Sequence, residues 1–430
     1  MTVVTVFENH VQKASAATSP VNVRFHCWDD ASVFTAVTDT GRAAATGTVA
    51  GVIMRTSLTT PPPRCGDEQV CVLLPEPQAD DDEGGITGRA FIWLDGRWAS
   101  STLDVVSLED SLAERRSSLL ETQQLQDARV LIIGTGSMFS PVIIALAQSG
   151  VGRFVVMDHD RIEAGNVVRH IAGAKDVGRL KVDVMRDAIR DTNPLAEVDT
   201  WARRASPDSE PLLRELIGSC DLTLVGVDDD AARSLINRIG VESGKPMIFG
   251  GAFRRAYGGQ VLRVRPGEGG PCFQCFLQQL PEHARDREIA SATSGAAHAY
   301  SDRPVVIEPG LSIDIAPMSH MIAKLALQEL MAGKSPSFER LAEDLSMPLM
   351  LWLNRREPKT PYEQLEPLGC NVDGLRVLRW LGLDLPRHPG CPVCGDFLGE
   401  MTKAHGLSRK QIQQRAAELA AESGDRTPTP

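Results

Sequence analysis

The chain has 430 residues, of which 42% are hydrophobic and 23% charged, a composition typical of globular proteins rather than of disordered, collagen-like or membrane-embedded chains. This length predicts about three domains, or one large domain with appendages. The 45 basic and 56 acidic side chains give a net charge of −11 without any basic block, which argues against a nucleic-acid groove, because phosphate neutralisation needs clustered Lys and Arg.

The N-terminus lacks the basic stretch and apolar core of a secretory signal, and no segment approaches the roughly 20 apolar residues of a membrane-spanning helix. We therefore expect a cytoplasmic protein without membrane contact. The nine cysteines are an odd number in a large chain with no secretion signal, which favours metal ligation or catalysis over disulfide bonding.

Residues 1–106 are predicted to form a small β-rich domain of unknown role. Short apolar runs alternate there with turn-rich segments, as in SVFTAVTD, TVAGVIMRT, QVCVLLP and RAFIWLDGRW. A proline cluster, TTPPPRCGDE, and an acidic run, PEPQADDDEGG, are interpreted as exposed loops. Ser107 is the expected N-cap of a helix that leads into the next domain.

From Arg129 onward the pattern alternates between β and α. The runs ARVLIIG and GRFVVMD are predicted strands, and PVIIALAQSGV between them is a predicted helix that ends at Gly150. The alternation continues through VDVMRDAIRDTN, EVDTWARR, CDLTLVGVDD, the hairpin-like KPMIFGGAFRRAYGGQVLRVRPG and the helix APMSHMIAKLALQELMAG. We predict an α/β fold with a doubly wound, mostly parallel Rossmann-like sheet. The predicted divisions are a core domain at 107–335, a C-terminal extension at 336–400, and an exposed helix with a frayed tail at 401–430.

Gly134 and Gly136 mark a candidate nucleotide site where a predicted strand turns into a helix. Backbone N–H groups and the helix dipole can face phosphate oxygens at such a turn. Asp158 ends the next strand, at about the spacing from which a carboxylate takes a ribose hydroxyl. The third glycine of G-x-G-x-x-G is replaced by Phe139, which is expected to alter helix–strand packing or the approach of adenine. An ordinary turn, or the turn of a Rossmann dehydrogenase, explains these residues equally well.

The run VVMDHDRIEAGNVVRHI, followed by DVGRLKVDVM, resembles the signature of the ubiquitin-activating-enzyme-like superfamily, the ThiF/MoeB/HesA-type adenylyltransferases. The resemblance implies a nucleotide site, and the matching positions are Asp158, Asp160, Asn166, Arg169 and Lys181, with His170 standing where the family usually has Gln. The run LTLVGVDDDAAR resembles the family's next motif and places its magnesium-binding Asp on Asp228, with Arg233 in the following helix.

The chemistry of adenylation explains these residue types independently. Attack of a carboxylate on the α-phosphate of ATP builds negative charge, which Arg169 and Lys181 would stabilise as catalytic cations. Asp228 would hold Mg²⁺ between phosphate oxygens. The alternatives are that each cation lies on a solvated surface, and that Asp228–Asp230 cap a helix.

Two C-x-x-C pairs, Cys272 with Cys275 and Cys391 with Cys394, offer four thiolates suited to tetrahedral Zn²⁺. Such a closed site is structural, and it would tie the C-terminal extension to the core. The resemblance supports this interpretation, since bacterial members carry similar pairs. A redox role for either pair alone is the alternative.

Family members that form a thioester usually place the cysteine after the first C-x-x-C pair, and this segment has no Cys here. Cys370 is the remaining candidate, although a buried or incidental thiol is the simpler interpretation, and Cys220 is assigned to packing. Arg115 and Arg116 lie in a segment that resembles the helix whose Arg reaches the partner's ATP in a dimer; a solvated helix face is the alternative. His298 is expected to make an ordinary hydrogen bond.

We therefore predict an ATP-dependent adenylyltransferase that uses ATP, Mg²⁺ and a structural Zn²⁺. The resemblance implies a substrate that is the C-terminal carboxylate of a small ubiquitin-like or sulfur-carrier protein, a conjugating or sulfur-transfer partner, and a homodimer. Within the class, the alternative is a peptide-adenylating enzyme of natural-product biosynthesis. From other classes, a dehydrogenase and a catalytically dead scaffold remain open.

Overall fold

The computed structural model describes the following residues: 2–17, 19–28, 33–37, 48–64, 66–75, 88–107, 111–112, 123–280, 310–334, 343–358, 361–364, 376–406, 408–412 and 414. The chain divides into two compact units, Met1–Glu121 and Thr122–Pro430. The domain boundaries expected from the sequence stay a prediction.

The N-terminal unit is a closed barrel whose described strands run in the order β1-β3-β2-β4-β5-β6-β7. The strands are β1 (Val3–Phe7), β2 (Val21–Trp28), β3 (Val33–Ala36), β4 (Thr48–Arg55), β5 (Glu68–Leu74), β6 (Arg89–Leu94) and β7 (Arg97–Val106), with helix α1 at Glu8–Ala16. Alternate residues such as Val4, Val6, Val70 and Val72 are fully buried in its core, as expected for strands with one face inside.

The C-terminal unit is built on an eight-stranded sheet, counted over its described residues, in the order β10-β9-β8-β11-β12-β13-β14-β15. The strands are β8 (Arg129–Ile133), β9 (Arg153–Met157), β10 (Glu197–Trp201), β11 (Leu222–Val225), β12 (Met247–Ala252), β13 (Gly258–Val264), β14 (Leu349–Leu353) and β15 (Arg379–Leu383). The helices are α2 (Gln123–Gln126), α3 (Phe139–Ser149), α4 (Lys181–Thr192), α5 (Glu210–Ser219), α6 (Asp230–Glu242), α7 (Phe273–Gln279), α8 (Ser312–Met331) and α9 (Phe397–His405). Short 3₁₀ helices lie at Ala164–Asn166, Ala174–Asp176, Pro207–Ser209, Arg254–Ala256 and Pro361–Gln364.

Strands β8 to β12 are mutually parallel, and β13 to β15 add an antiparallel edge. The prediction of a mixed α/β fold with a parallel sheet is confirmed. The chain moves outward from β8 through β9 to β10, and then returns to place β11 on the other side of β8. This reversal opens a crevice beyond the carboxyl ends of β8 and β11, the usual ligand position in an open parallel sheet.

The side chains of β8 explain why helices cover both faces of the sheet. Leu131 and Ile133 pack in one core cluster with Leu213 of α5 and Ile236 of α6. The alternating residues Val130 and Ile132 point to the opposite face and are also fully buried. A strand buried on both faces needs this continuous apolar run, which made the parallel sheet predictable from the sequence.

The large side chain of Phe139, at the first residue of α3, is accommodated by two glycines. Phe139 is only 1% exposed. A Cβ atom added to Gly226 would collide with the Phe139 ring, and one added to Gly250 would lie 3.0 Å from Phe139 Cε2. The ring therefore occupies the volume that two side chains would otherwise fill. Phe139 is thus accommodated locally, and its expected effect on helix–strand packing or on the approach of adenine stays a prediction.

The described residues test the predicted helices only in part. Helix α8 begins at Ser312, ahead of the predicted segment that starts at Ala316. Most of the helix expected after Ser107 and most of the exposed C-terminal helix lie outside the described residues. No helix in the described part of the chain is both long and apolar enough to span a bilayer.

Replacing Gly226 with Ala should destabilise the C-terminal unit by about 1–3 kcal/mol, because the new methyl group overlaps the buried ring of Phe139. Urea unfolding monitored by circular dichroism measures the change. The control is Gly218→Ala in the exposed last turn of α5, where an added Cβ meets no atom within 4 Å. That variant should be neutral or stabilised by about 0.5–1 kcal/mol. Equal unfolding midpoints for the two variants would contradict the packing argument.

Candidate functional site

The turn between β8 and α3 contains both glycines that the sequence singled out. Gly134 has a left-handed φ of +88°, and a Cβ there would lie 2.7 Å from the carbonyl carbon of Gly226. Only glycine permits this approach of two backbones. Around Gly136, by contrast, an added Cβ would meet no atom within 4 Å. The turn is therefore closely packed on its Gly134 side and open at Gly136, directly before the N-terminus of α3.

Asp158, at the end of β9, holds this turn through its buried carboxylate. One carboxylate oxygen accepts hydrogen bonds from the Thr135 backbone N–H (2.8 Å) and from Thr135 Oγ1 (3.0 Å). The other oxygen accepts from the backbone N–H of Asp160 (2.9 Å). The carboxylate thus has a structural task that the sequence spacing did not indicate, and its role toward a ribose hydroxyl stays a prediction.

His170 contacts the same turn from the segment that follows the 3₁₀ helix Ala164–Asn166. Its ring nitrogen Nε2 lies 2.8 Å from the carbonyl oxygen of Thr135, and Nδ1 accepts a hydrogen bond from the backbone N–H of Ala172 (2.9 Å). Sequence reasoning noted this residue only as a departure from the family motif. Its position next to Arg169 in the sequence indicated that His170 lies near the site. The sequence could not show that its ring contacts Thr135.

Lys181 is the first residue of α4 and is almost completely buried. Its ammonium group donates to Asp160 Oδ2 at 2.8 Å. A buried ammonium needs such a partner, because an unpaired charge in the interior is costly. Since β9 ends at Met157, just before Asp160, the pair lies at the carboxyl edge of the sheet.

Asp228 follows β11 at the same edge. Its side chain reaches solvent. Desolvation by the surrounding protein nevertheless raises the pKa of the carboxyl. Asp160 reinforces this increase, and Arg233 and Lys181 oppose it. These interactions put Asp228 within electrostatic reach of the Lys181–Asp160 pair. The helix-capping alternative applies to its neighbour instead, because Asp229 accepts from the backbone N–H of Ala231 at 2.8 Å.

Two further predicted residues, Asn166 and Arg233, are held by hydrogen bonds between their side chains and the backbone. Asn166 is buried, and its Oδ1 accepts from the backbone N–H of Glu163 (3.0 Å), which shapes its own turn. Arg233 donates to the carbonyl oxygen of Val227 (2.8 Å) and lies over the ring of Phe273, 5.9 Å from its centroid. Arg169 is half-buried, and the convergence of its guanidinium with Lys181 and Asp228 stays a prediction.

The four cysteines of the two C-x-x-C pairs come together although 119 residues separate Cys272 from Cys391. Their sulfur atoms all lie within 4.8 Å of one another. The Sγ–Sγ distances include 3.6 Å for Cys272 and Cys391 and 3.3 Å for Cys275 and Cys394. Four sulfurs bound to one Zn²⁺ at ~2.3 Å would be about 3.8 Å apart in a tetrahedron. The arrangement therefore fits a tetrahedral zinc ion.

The surroundings shift the pKa values of these thiols in opposite directions. A hydrogen bond from Cys272 lowers the pKa of Cys275, and the backbone N–H of His388 (3.4 Å) adds to this effect. The same sulfur–sulfur contact and burial raise the pKa of Cys272, and burial raises that of Cys394. Asn237 of α6 accepts from the N–H of Phe273 (2.9 Å), while its Nδ2 is a buried donor without an acceptor among the described residues. Because Phe273 adjoins Cys272, this amide lies next to the four sulfurs, in the position of an outer-shell partner of a metal ligand.

Several predicted residues are not placed by the structure. Arg115, Arg116, His298 and Cys370 lie outside the described residues, and their proposed roles stay predictions. Cys220 is 1% exposed within a core cluster, in agreement with its assignment to packing.

The model of the ThiF family matches residues 110–336. The chain is 31% identical over 179 residues to the adenylyltransferase and sulfurtransferase UBA4 of Lodderomyces elongisporus, covering 41% of this chain and 38% of that protein. It is 28% identical over 279 residues to the sulfur carrier protein adenylyltransferase of Thermus thermophilus, covering 64% of this chain and 84% of that protein. Escherichia coli MccB crystallised with ATP covers 64% of this chain and 68% of its own at 20% identity and a TM-score of 0.44, which is too distant to support an argument.

The matched segment spans more than half of the chain and contains the glycine turn, the Lys181–Asp160 pair and Asp228. This chain therefore belongs to the ThiF family.

Proposed function

We propose that this protein is an ATP-dependent adenylyltransferase that activates the C-terminal carboxylate of a small ubiquitin-like or sulfur-carrier protein as an acyl adenylate. The observation that carries the proposal is the ion pair of the buried Lys181 with the partly exposed Asp160, which lies beside the glycine turn at the carboxyl edge of the sheet. A buried, paired ammonium at the crevice of a parallel sheet is suited to an anionic nucleotide.

The proposed reaction needs no nucleophile from the protein. A carboxylate oxygen of the carrier attacks the α-phosphorus of ATP, the bond from that phosphorus to the bridging oxygen breaks, and pyrophosphate leaves with the electron pair. Negative charge grows on the phosphoryl oxygens during this step, so fixed cations stabilise the transition state more than the ground state. Lys181 and Arg169 supply those cations, and the loss of either should cost on the order of 3 kcal/mol.

Asp228 would hold Mg²⁺ in this site, with Asp160 as a neighbouring carboxylate. Mg²⁺ prefers carboxylate and phosphate oxygens and neutralises charge on the bound triphosphate. Asp228 suits this role because it reaches solvent and is not consumed as the helix cap.

The four-cysteine site would hold a structural Zn²⁺. All four ligand positions are filled by protein sulfur, which leaves no open position for catalysis. The ion would tie the turn at Cys391–Cys394 to the start of α7, and so fasten the C-terminal extension to the sheet. Metal affinity would then contribute directly to folding.

The carrier and the partners belong to the same proposal. The relatives from L. elongisporus and T. thermophilus are named for adenylyl transfer and sulfur transfer or sulfur carriage, which favours a carrier protein over a free peptide as the substrate. We propose a homodimer in the cytoplasm, with a sulfur-transfer or conjugating partner.

Burial raises the pKa of Cys71 to about 12 and that of Cys220 to about 11, so neither thiol is suited to form a thioester. Cys370 stays the thioester candidate, and the absence of a Cys after the first C-x-x-C pair favours direct transfer of the adenylate to an acceptor.

Lys181→Ala should lower the rate of pyrophosphate exchange by about 10²–10³-fold, because a cation aimed at the developing charge is lost. The assay uses Mg-ATP, labelled pyrophosphate and candidate carriers that end in Gly-Gly. Lys175→Ala is the matched control, since Lys175 is an exposed lysine six residues away and should leave the rate unchanged. Exchange only with free peptides would favour the peptide-adenylating alternative, and exchange unaffected by Lys181→Ala would contradict the assigned role.

Cys391→Ser should reduce bound zinc from one ion per chain and lower the unfolding temperature, because a buried ligand of a closed site is lost. Metal content is measured by elemental analysis, and unfolding by scanning calorimetry with and without a chelator. Cys27→Ser is the control, because Cys27 belongs to the barrel and is not one of the four clustered cysteines, so zinc content should not change. Asn237→Ala should retain the ion with an affinity reduced about 10–100-fold. Zinc-free wild-type protein of full stability would refute the site.

A further inference from the structure

His170 uses both nitrogens of a buried imidazole. Because Nδ1 accepts the backbone N–H of Ala172 (2.9 Å), the ring proton belongs on Nε2, which then donates to the carbonyl oxygen of Thr135 (2.8 Å). This assigns one tautomer of the neutral ring. His170 is 8% exposed, so water does not readily replace either bond.

The contact completes the immobilisation of Thr135, the residue between the two glycines of the turn. Its N–H and its hydroxyl are already held by Asp158 at 2.8 Å and 3.0 Å. His170 holds its carbonyl oxygen, so every polar group of this residue has a partner. Asp158 and His170 therefore hydrogen-bond to the turn from two different segments of the chain, the end of β9 and the segment after Asn166.

Fixing the Thr135 carbonyl has a consequence for the next residue. In a planar trans peptide the C=O bond of one residue and the N–H bond of the next point in opposite directions. With the Thr135 carbonyl directed at His170, the Gly136 N–H must be directed away from His170. An added Cβ at Gly136 would meet no atom within 4 Å, so this residue borders open space before the N-terminus of α3. A phosphate oxygen bound at that N-terminus would be the acceptor for the Gly136 N–H.

We propose that His170 is a positioning residue that orients the Gly136 N–H toward bound phosphate by holding the Thr135 carbonyl. The inference rests on the nucleotide site of the proposed function. A glutamine could make the same two contacts, because its amide offers both N–H donors and an acceptor oxygen. An alanine has neither.

Protonation would remove this function, because an Nδ1–H would then face the N–H of Ala172. Burial lowers the pKa of His170 from its ordinary 6.5; of its neighbours, the Thr135 carbonyl, Asp158 at the end of β9 and Asp176 oppose the decrease, and Lys181 of α4 reinforces it. The unfolded chain therefore takes up the proton first. The contribution of His170 to stability is complete above about pH 6.5 and is lost as the pH falls through the lower folded-state pKa.

The test combines two measurements on the full-length zinc-loaded protein. Calorimetry gives the Kd for Mg-ATP between pH 5 and 8, and hydrogen exchange with mass spectrometry follows the peptide that contains Gly134–Gly136 without nucleotide. The variants are His170→Ala, which removes both bonds, and His170→Gln, which can make both without titrating. The control is His320→Ala, an exposed histidine whose ring contacts only a carbonyl of its own helix.

We expect His170→Ala to weaken ATP binding at least about 10-fold at pH 8 and to speed exchange in the turn, consistent with a lost buried hydrogen bond. His170→Gln should restore both to within about 3-fold of wild type and should lack the loss of affinity that wild type shows as the pH falls. His320→Ala should match wild type throughout.

The two proposals fail separately. If wild type does not bind Mg-ATP, the proposed function is wrong, and the exchange measurement still decides whether His170 holds the turn. If wild type binds but His170→Ala leaves both affinity and exchange unchanged, the positioning role is wrong. If His170→Ala does not fold, the comparison of His170→Gln with wild type across the pH range decides, because identical pH profiles would overturn the proposal.

Discussion

The contact between two backbones at the carboxyl edge of the sheet is the constraint on which the rest of the site depends. Gly134 and Gly226 approach so closely that neither tolerates a side chain. Their contact lets β8 and β11 lie side by side at the reversal of strand order, which creates the crevice. The ring of Phe139 packs against Gly226, and the turn is open at Gly136. A turn displaced by the width of one methyl group would misdirect its N–H groups.

The polar groups around this turn form a continuous set rather than separate contacts. Asp158 holds Thr135 from β9, His170 holds it from the following segment, and Asp160 connects Asp158 to Lys181. Buried networks of this kind are rigid because each unsatisfied member would cost more than its bond contributes. If the proposed function is correct, such a site would be ordered before nucleotide binds, and preorganisation of this kind is the main means of stabilising charge in phosphoryl chemistry.

Helix α6 connects this site to the four cysteines. It begins directly after Asp228 and Asp229, and two turns later Asn237 binds the start of α7 next to Cys272. The proposed zinc ion would therefore lie beside the middle of the helix whose first residue follows Asp228 and Asp229.

The sequence alone determined the parallel sheet, the glycine turn and the four cysteine ligands, because these depend on local periodicity, on backbone conformation open only to glycine, and on the chemical preference of thiolates for zinc. The tertiary structure decided which groups the side chains of the site contact. The carboxylate of Asp158 binds the turn, Asp229 rather than Asp228 caps α6, Phe139 fits against Gly226 and Gly250, and His170 reaches Thr135, 35 residues earlier in the chain. Spacing along the chain cannot reveal such contacts, because each depends on how distant segments pack and which donor finds which acceptor.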